Sequence, residues 1–302
     1  MKWNSYVVGL CASLTLFSAA AQELTGTLKK IRVTGTITLG VRDSSIPFSY
    51  LDDKQAYRGY SIDLCSRIVA AVQKQLGMTS LAVKMQPITS ATRIPLMVNG
   101  TIDITCGSDA NTVERQKQVA FSWTTFVGNE AMVSRKSANI NTANDLKGKT
   151  VVSTSGSTDI KHINDLNKAR DLGMKLTVAP DHGASFLTLE TGRADVFIMT
   201  DILIASLVAS SKAPNDYNIK VVDEMPVEPW ALMMRRDDPA FRKVVNDVIA
   251  EAFRTGEMSR LYTKWFQSPL PSLNINLNIP MSSKLKAVIA KPNDSGDPKD
   301  YQ

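Results

Sequence analysis

From residue 36 onward the apolar positions change period in a repeating way. In "TITLGVR" Ile37, Leu39 and Val41 alternate with their neighbours, which predicts a strand ending at Arg42. "SIDLCSRIVAAVQKQLG" carries apolar residues at 64, 65, 68, 69, 72 and 76, a helical spacing that Gly77 stops. "LAVKMQPI" alternates again, "TRIPLMVNG" predicts a short helix with a glycine end, and "TIDITCG" predicts the next strand. A second series begins after "AMVSRK". "DLKGKTVVSTSGSTD" predicts a strand, a loop of small residues and a helix start. "KLTVAPDHGASFLTLETGRADVFIMTD" predicts a strand, a helix ending at Gly192 and another strand, followed by a helix in "LIASLVASS" and a strand in "NIKVVD". The stretch "DDPAFRKVVNDVIAEAFRTGEMSRLYTKWF" is amphipathic and helical with a break at Gly256, and the polar tail "KPNDSGDPKDYQ" is expected to fray. No internal repeat stands out.

Strand-helix-strand alternation predicts an α/β fold with parallel sheets. In such sheets ligands bind beyond the carboxyl ends of the strands. Arg42, Ser90 with Arg93, and Ser108 with Arg115 all follow such ends, so they can converge on one crevice.

The N-terminus breaks this pattern. Lys2 precedes the apolar run from Tyr6 to Ala21, which ends small-x-small at Ala19 and Ala21. This is the form of a secretory signal, residues 1–21, and the run is short for a membrane span. The mature chain is expected to be soluble, exported and periplasmic. Removal of the signal leaves Cys65 and Cys106, which either form a disulfide in an oxidising compartment or serve as two buried thiols. Composition adds little: 43% apolar and 21% charged residues are ordinary for a globular protein. The net charge of +6 is spread without any run of five or six basic residues, which argues against nucleic acid or a membrane surface as partner. No nucleophile elbow, zinc-ligand spacing or phosphate loop occurs, so neither a metal nor a cofactor is expected.

Several motifs carry a resemblance over nearly the whole mature chain: "PFSYLDD…GYSIDLC", "PITSATRIPLMVNGTIDITCGS", "NTVERQKQVAFS", "DLKGKTVVSTSGST", "DHGASFLTLETGRADVF", "RRDDPAF" and "KWFQSPLP". The chain resembles the periplasmic solute-binding proteins of bacterial ABC transporters for polar amino acids (solute-binding protein family 3), specifically the glutamate/aspartate-binding group. The resemblance implies a two-lobe periplasmic binding protein of type II, with two hinge crossings and a ligand cleft between lobes. Residues 22–130 with 226–302 would form lobe 1, and 131–225 the inserted lobe 2. It implies a non-enzymatic monomer that traps an acidic amino acid by lobe closure and delivers it to a permease with its ATPase.

By the same resemblance Arg115 clamps the α-carboxylate, which Thr158 also reaches. Arg42, Ser90, Arg93 and His182 hold the side-chain carboxylate, and Ser108 offers contacts at the centre. This suits the chemistry, since a desolvated carboxylate must keep its hydrogen bonds and guanidinium forks supply them. Each residue also has an ordinary reading: a solvated arginine, a loop histidine bound to a carbonyl, a capped helix start in "TSGST".

Two places depart from the glutamate-binding pattern. Asp109 and Ala110 stand where such proteins carry two threonines, and Thr200 stands where they carry the aspartate that pairs with the ammonium. Asp201 follows one residue later, on the opposite face if the strand continues. Both carboxylate clamps are kept while the ammonium pocket looks depleted. A dicarboxylate lacking the ammonium, such as 2-oxoglutarate, is therefore the alternative ligand, unless Asp109 swings in or Asp201 substitutes. An elimination enzyme of the cyclohexadienyl dehydratase kind, using His182 or Asp181, and a sensor-linked binding protein are the remaining alternatives.

Overall fold

Two five-stranded sheets carry the fold in this computed structural model, which describes residues 24–273 and 275–302. The segment read as a signal, residues 1–21, lies outside the described residues. In the first sheet the order is Ala82–Pro87, Thr36–Val41, Ile104–Cys106, Met233–Arg235, Val119–Phe121. The first three are parallel, with Leu39 opposite Ile104 and Val41 opposite both Cys106 and Pro87. Ile37 to Val41 are buried without interruption, as a central parallel strand covered on both faces requires. The edge strand Ala82–Pro87 is mostly exposed and ends in a proline that costs an edge no ladder bond.

The second sheet runs Lys175–Ala179, Thr150–Thr154, Val196–Thr200, Glu130–Arg135, Tyr217–Val221. Here Glu130–Arg135 is antiparallel to both of its neighbours, and Thr200 lies directly opposite Glu130. Between the two sheets run Phe126–Gly128 and Glu228–Trp230, an antiparallel pair with Glu228 opposite Gly128. The chain therefore leaves and re-enters the first half through two adjacent strands. An aromatic cluster anchors them: Phe48 lies 4.8 Å from Trp230 and 4.9 Å from Phe126, and Phe126 stacks on Phe266 at 5.4 Å.

Two features fix the loop after Ile104–Cys106. Cys65, on the helix Tyr60–Gln75, is disulfide-bonded to Cys106. The carboxyl end of the strand is thereby tied to its covering helix, just before Gly107 and Ser108. The second feature is the C-terminal tail, which is packed against this loop and does not fray. The Asn111 side-chain amide donates to the carbonyls of Asp294 and Ser295 at 3.0 and 3.2 Å. Tyr301 is buried with its hydroxyl 2.7 Å from Thr124 Oγ1, and Arg242 pairs with Asp294. Composition marks the tail as polar, but its partners are distant in sequence, so only the fold reveals them.

Candidate functional site

The carboxyl ends of the two sheets face each other and bring together two groups of buried charge, one cationic and one acidic. Arg42, the residue after Thr36–Val41, is almost fully buried, and Gly107 gives its stem room: a Cβ there would lie 2.9 Å from Arg42 Cγ. Its Nη2 donates to His182 Nε2 at 3.1 Å. A guanidinium can only donate, so Nε2 is the acceptor and Nδ1 carries the imidazole proton. Nδ1 is 2.8 Å from Thr154 Oγ1, which is 2.9 Å from Ser185 Oγ, and that hydroxyl donates to the Asp181 carbonyl. One chain of donors thus crosses the cleft from Arg42 to the start of the helix His182–Glu190. Burial, with Arg42 and Arg93 nearby, holds His182 well below the usual imidazole range and therefore neutral.

Arg93 opens the short helix Arg93–Val98 and is buried. Its Nη1 donates to the Ser108 carbonyl at 3.0 Å and to Asp109 Oδ1 at 2.6 Å. Arg115 opens a single 3-10 turn, with Nη1 held by the Ala110 carbonyl at 2.9 Å. Its Nη2 crosses the cleft to the Gly156 carbonyl at 3.1 Å. Burial first, then repulsion from Arg93, lowers Arg42 to about 10 and Arg115 to about 9. Asp109 is the one carboxylate paired directly with the Arg42, Arg93 and Arg115 trio among the described residues, while Arg42 Nη1 and Arg93 Nε have no acceptor. Buried guanidinium groups in this state favour an anion, since a desolvated cation gains most from a paired negative charge. Ser90 and Ser108 are buried in the same place, the latter with its hydroxyl 3.2 Å from Ser45 Oγ.

The acidic group lies on the Arg115 side. Glu228 accepts from Thr158 Oγ1 through one oxygen, and from Thr200 Oγ1 at 2.9 Å and Trp230 Nε1 at 3.1 Å through the other. Glu130 is 2.7 Å from His162 Nδ1. Burial, together with Glu228, raises Glu130 well above the carboxylate range, and burial together with Glu130 does the same to Asp159. A cavity of about 480 Å³ opens beside this group, lined in part by Ala110, Arg115, Thr158, His162 and Glu228.

All seven residues singled out as ligand contacts lie at the junction of the two halves, with Thr158 alone turned to the acidic side. Arg93 holds one oxygen of Asp109, and the other oxygen is buried without a partner. Ala110 forms a bridge with Trp230 and gives its carbonyl to Arg115. The strand ends at Thr200, and Asp201 opens the helix Asp201–Ser210. Its carboxylate turns to Asn129 Nδ2 at 2.9 Å and to the Ile202 amide. Asp201 is turned away from Thr200, and the carboxylate bound to the Thr200 hydroxyl is that of Glu228. Sequence reasoning missed Glu228, Glu130 and Asp159, because two are strand-starting residues without a motif and the third reads as an ordinary first-turn acid of a helix. His162, one of two histidines in the chain, carries no motif of its own.

Known proteins place this arrangement. The chain is 47% identical over 288 residues to the L-glutamate/L-aspartate-binding protein of Pseudomonas aeruginosa, covering 94% of each chain. It is 44% identical to the glutamate/aspartate import solute-binding protein of Escherichia coli, covering 95% of each. The solved structure of the ancestral amino acid-binding protein AncCDT-1, a precursor of cyclohexadienyl dehydratase, aligns with a TM-score of 0.68 at 26% identity, covering 80% of this chain and all of that one. The two sheets, the two crossing strands and the cleft between them are those of a type II periplasmic binding protein. Residues 37–268 match the model of the bacterial extracellular solute-binding proteins, family 3, and the chain belongs to that family.

Proposed function

We propose that this protein captures L-glutamate or L-aspartate in the periplasm, closes its lobes around it and presents it to an ABC transporter permease. In this reading residues 22–130 with 226–302 form one lobe, 131–225 the other, and residues 1–21 are the export signal. The observation that carries it is the two-pole cleft. Arg42, Arg93 and His182, with Ser90, receive the distal carboxylate, while Arg115 and Thr158 receive the α-carboxylate. Glu228 supplies the counter-charge for the α-ammonium from the place where Thr200 lacks one. An acidic amino acid carries two anions and one cation, and the cleft offers the complement of both.

The loss of aspartate at position 200 favours a second reading, a dicarboxylate without an ammonium. It is the weaker one, because such a ligand leaves a buried Glu228 carboxylate facing no cation, which costs free energy. Binding is favoured over catalysis because both ring nitrogens of His182 are engaged, leaving no poised general base there. Calorimetric titration of the signal-free protein with L-glutamate, L-aspartate, 2-oxoglutarate and succinate tests the proposal. Tight binding of an amino acid with weak binding of the oxo acid is expected; the reverse order would overturn it.

A further inference from the structure

The acidic pole holds more carboxylate than one ammonium needs. Donor atoms of Glu130, His162 and Glu228 all lie within 4.8 Å of one another. They come from three elements: the first residue of Glu130–Arg135, the first turn of the helix Asp159–Arg170, and the first residue of Glu228–Trp230. Asp159 lies three residues before His162 on the same helix face and is buried close to Glu130. Glu130 Oε2 and Asp159 Oδ1 are buried and have no donor. Three buried carboxyl groups therefore face one imidazole and Arg115, with Asp201 as a further acid. Buried carboxyl oxygens left without a donor this close to other acids favour a cation among them.

We propose that Glu130, His162 and Glu228 form a site for a borderline divalent cation of the Zn²⁺ kind, and that this cation and the solute's ammonium exclude each other at Glu228. The second half rests on the ammonium placement proposed above; the first does not. One imidazole nitrogen with two carboxylates is a donor set that suits zinc and disfavours Mg²⁺ or Ca²⁺, which take all-oxygen shells. Tetrahedral bonds of about 2.1 Å put ligand atoms roughly 3.4 Å apart, so the widest pair needs to close by up to about 1.4 Å while the His162–Glu130 pair, at 2.7 Å, opens by about 0.7 Å. Thr158, Thr200 and Trp230 hold Glu228 from behind and would orient it as second-sphere donors do. The 480 Å³ cavity lined by His162 and Glu228 supplies the entry path and an open fourth position.

The test uses tag-free, chelator-treated protein titrated with ZnCl₂ by calorimetry and by thermal unfolding, with MgCl₂ as control. The expected result is one zinc per chain, a raised Tm, no response to magnesium, and at least tenfold weaker zinc binding in Glu130→Gln and in His162→Asn. Glu130→Gln is nearly isosteric and serves alone if His162→Asn fails to fold. No zinc binding, or equal binding in Glu130→Gln, overturns the site; a Tm that follows pH and ignores zinc assigns the cluster to a shared proton and also overturns it. L-glutamate is then titrated into the zinc-loaded protein. At least tenfold weaker binding is expected, relieved in Glu130→Gln. Unchanged glutamate affinity with zinc bound would leave the metal site standing and refute the exclusion at Glu228.

Discussion

Closure of this cleft depends on one glycine, and replacing it separates closure from folding. Gly156 sits at φ +77° with its carbonyl on Arg115, and its face is pressed against the opposite half. A Cβ there would lie 2.5 Å from Ala91 Cα, 2.6 Å from Ala91 N and 2.8 Å from the Ser90 carbonyl carbon. All three are backbone atoms that cannot rotate aside, so the halves of Gly156→Ala must stay about 1 Å further apart to reach ordinary van der Waals separation. The left-handed backbone strain of about 1–2 kcal/mol is present in open and closed forms alike, so it lowers Tm and leaves affinity untouched. The clash is with residues of the opposite half, so under the proposed closure it arises as the halves meet. It stretches the Arg115–Gly156 bond, and a hydrogen bond to a charged group contributes about 1.5–3 kcal/mol. Ligand affinity is therefore expected to fall about 10- to 150-fold. Calorimetry with L-glutamate reads the affinity, small-angle scattering reads closure, and a Tm loss of only a few degrees certifies the fold. Wild-type affinity together with full closure would refute the reasoning.

Two further outcomes follow from the arginine pole. Arg115→Ala removes a fork that bonds to both halves as well as the proposed α-carboxylate clamp; glutamate binding should become undetectable by calorimetry at micromolar protein, and near wild-type affinity would dismiss the site as described. His182 is neutral in the folded protein, pushed down by burial and by Arg42 and Arg93, whereas the unfolded imidazole takes its proton near about pH 6.5. Below that pH the unfolded chain binds the extra proton, so this residue makes the ligand-free protein less stable as pH falls. Between pH 7 and 5 wild type should lose more Tm than His182→Asn does, and parallel Tm–pH curves would contradict the assignment.

Much of the fold was legible because periodicity reports burial directly: the strands at 36–41 and 196–200 and the helix at 60–75 follow their apolar spacing. The arginine pole was legible for a different reason, since Arg42, Arg93 and Arg115 each follow the carboxyl end of a strand and match a family motif. The acidic pole was not. Asp159 starts a helix that the pattern predicts, whereas the strands begun by Glu130 and Glu228 were not predicted, and only tertiary pairing brings the three together. The surroundings of positions 109, 110 and 200 therefore looked short of acid, although Glu228 reaches Thr200 from a strand crossing 28 residues along the chain. The tail was misread on the same grounds, its polar groups being partners for Asn111 and Thr124.

The central claim is that Glu228 recognises the ammonium of a ligand whose carboxylates lie on the arginines. The direct measurement is the affinity ratio of L-glutamate to 2-oxoglutarate, taken by calorimetry in wild type and in Glu228→Gln. The account predicts a wild-type preference for glutamate of about 10- to 100-fold, as a charge-assisted bond in a buried site supplies. In Glu228→Gln that preference should shrink to within a few-fold of unity, mainly through weaker glutamate binding. An unchanged ratio in the variant, or a wild type that prefers the oxo acid, would contradict it.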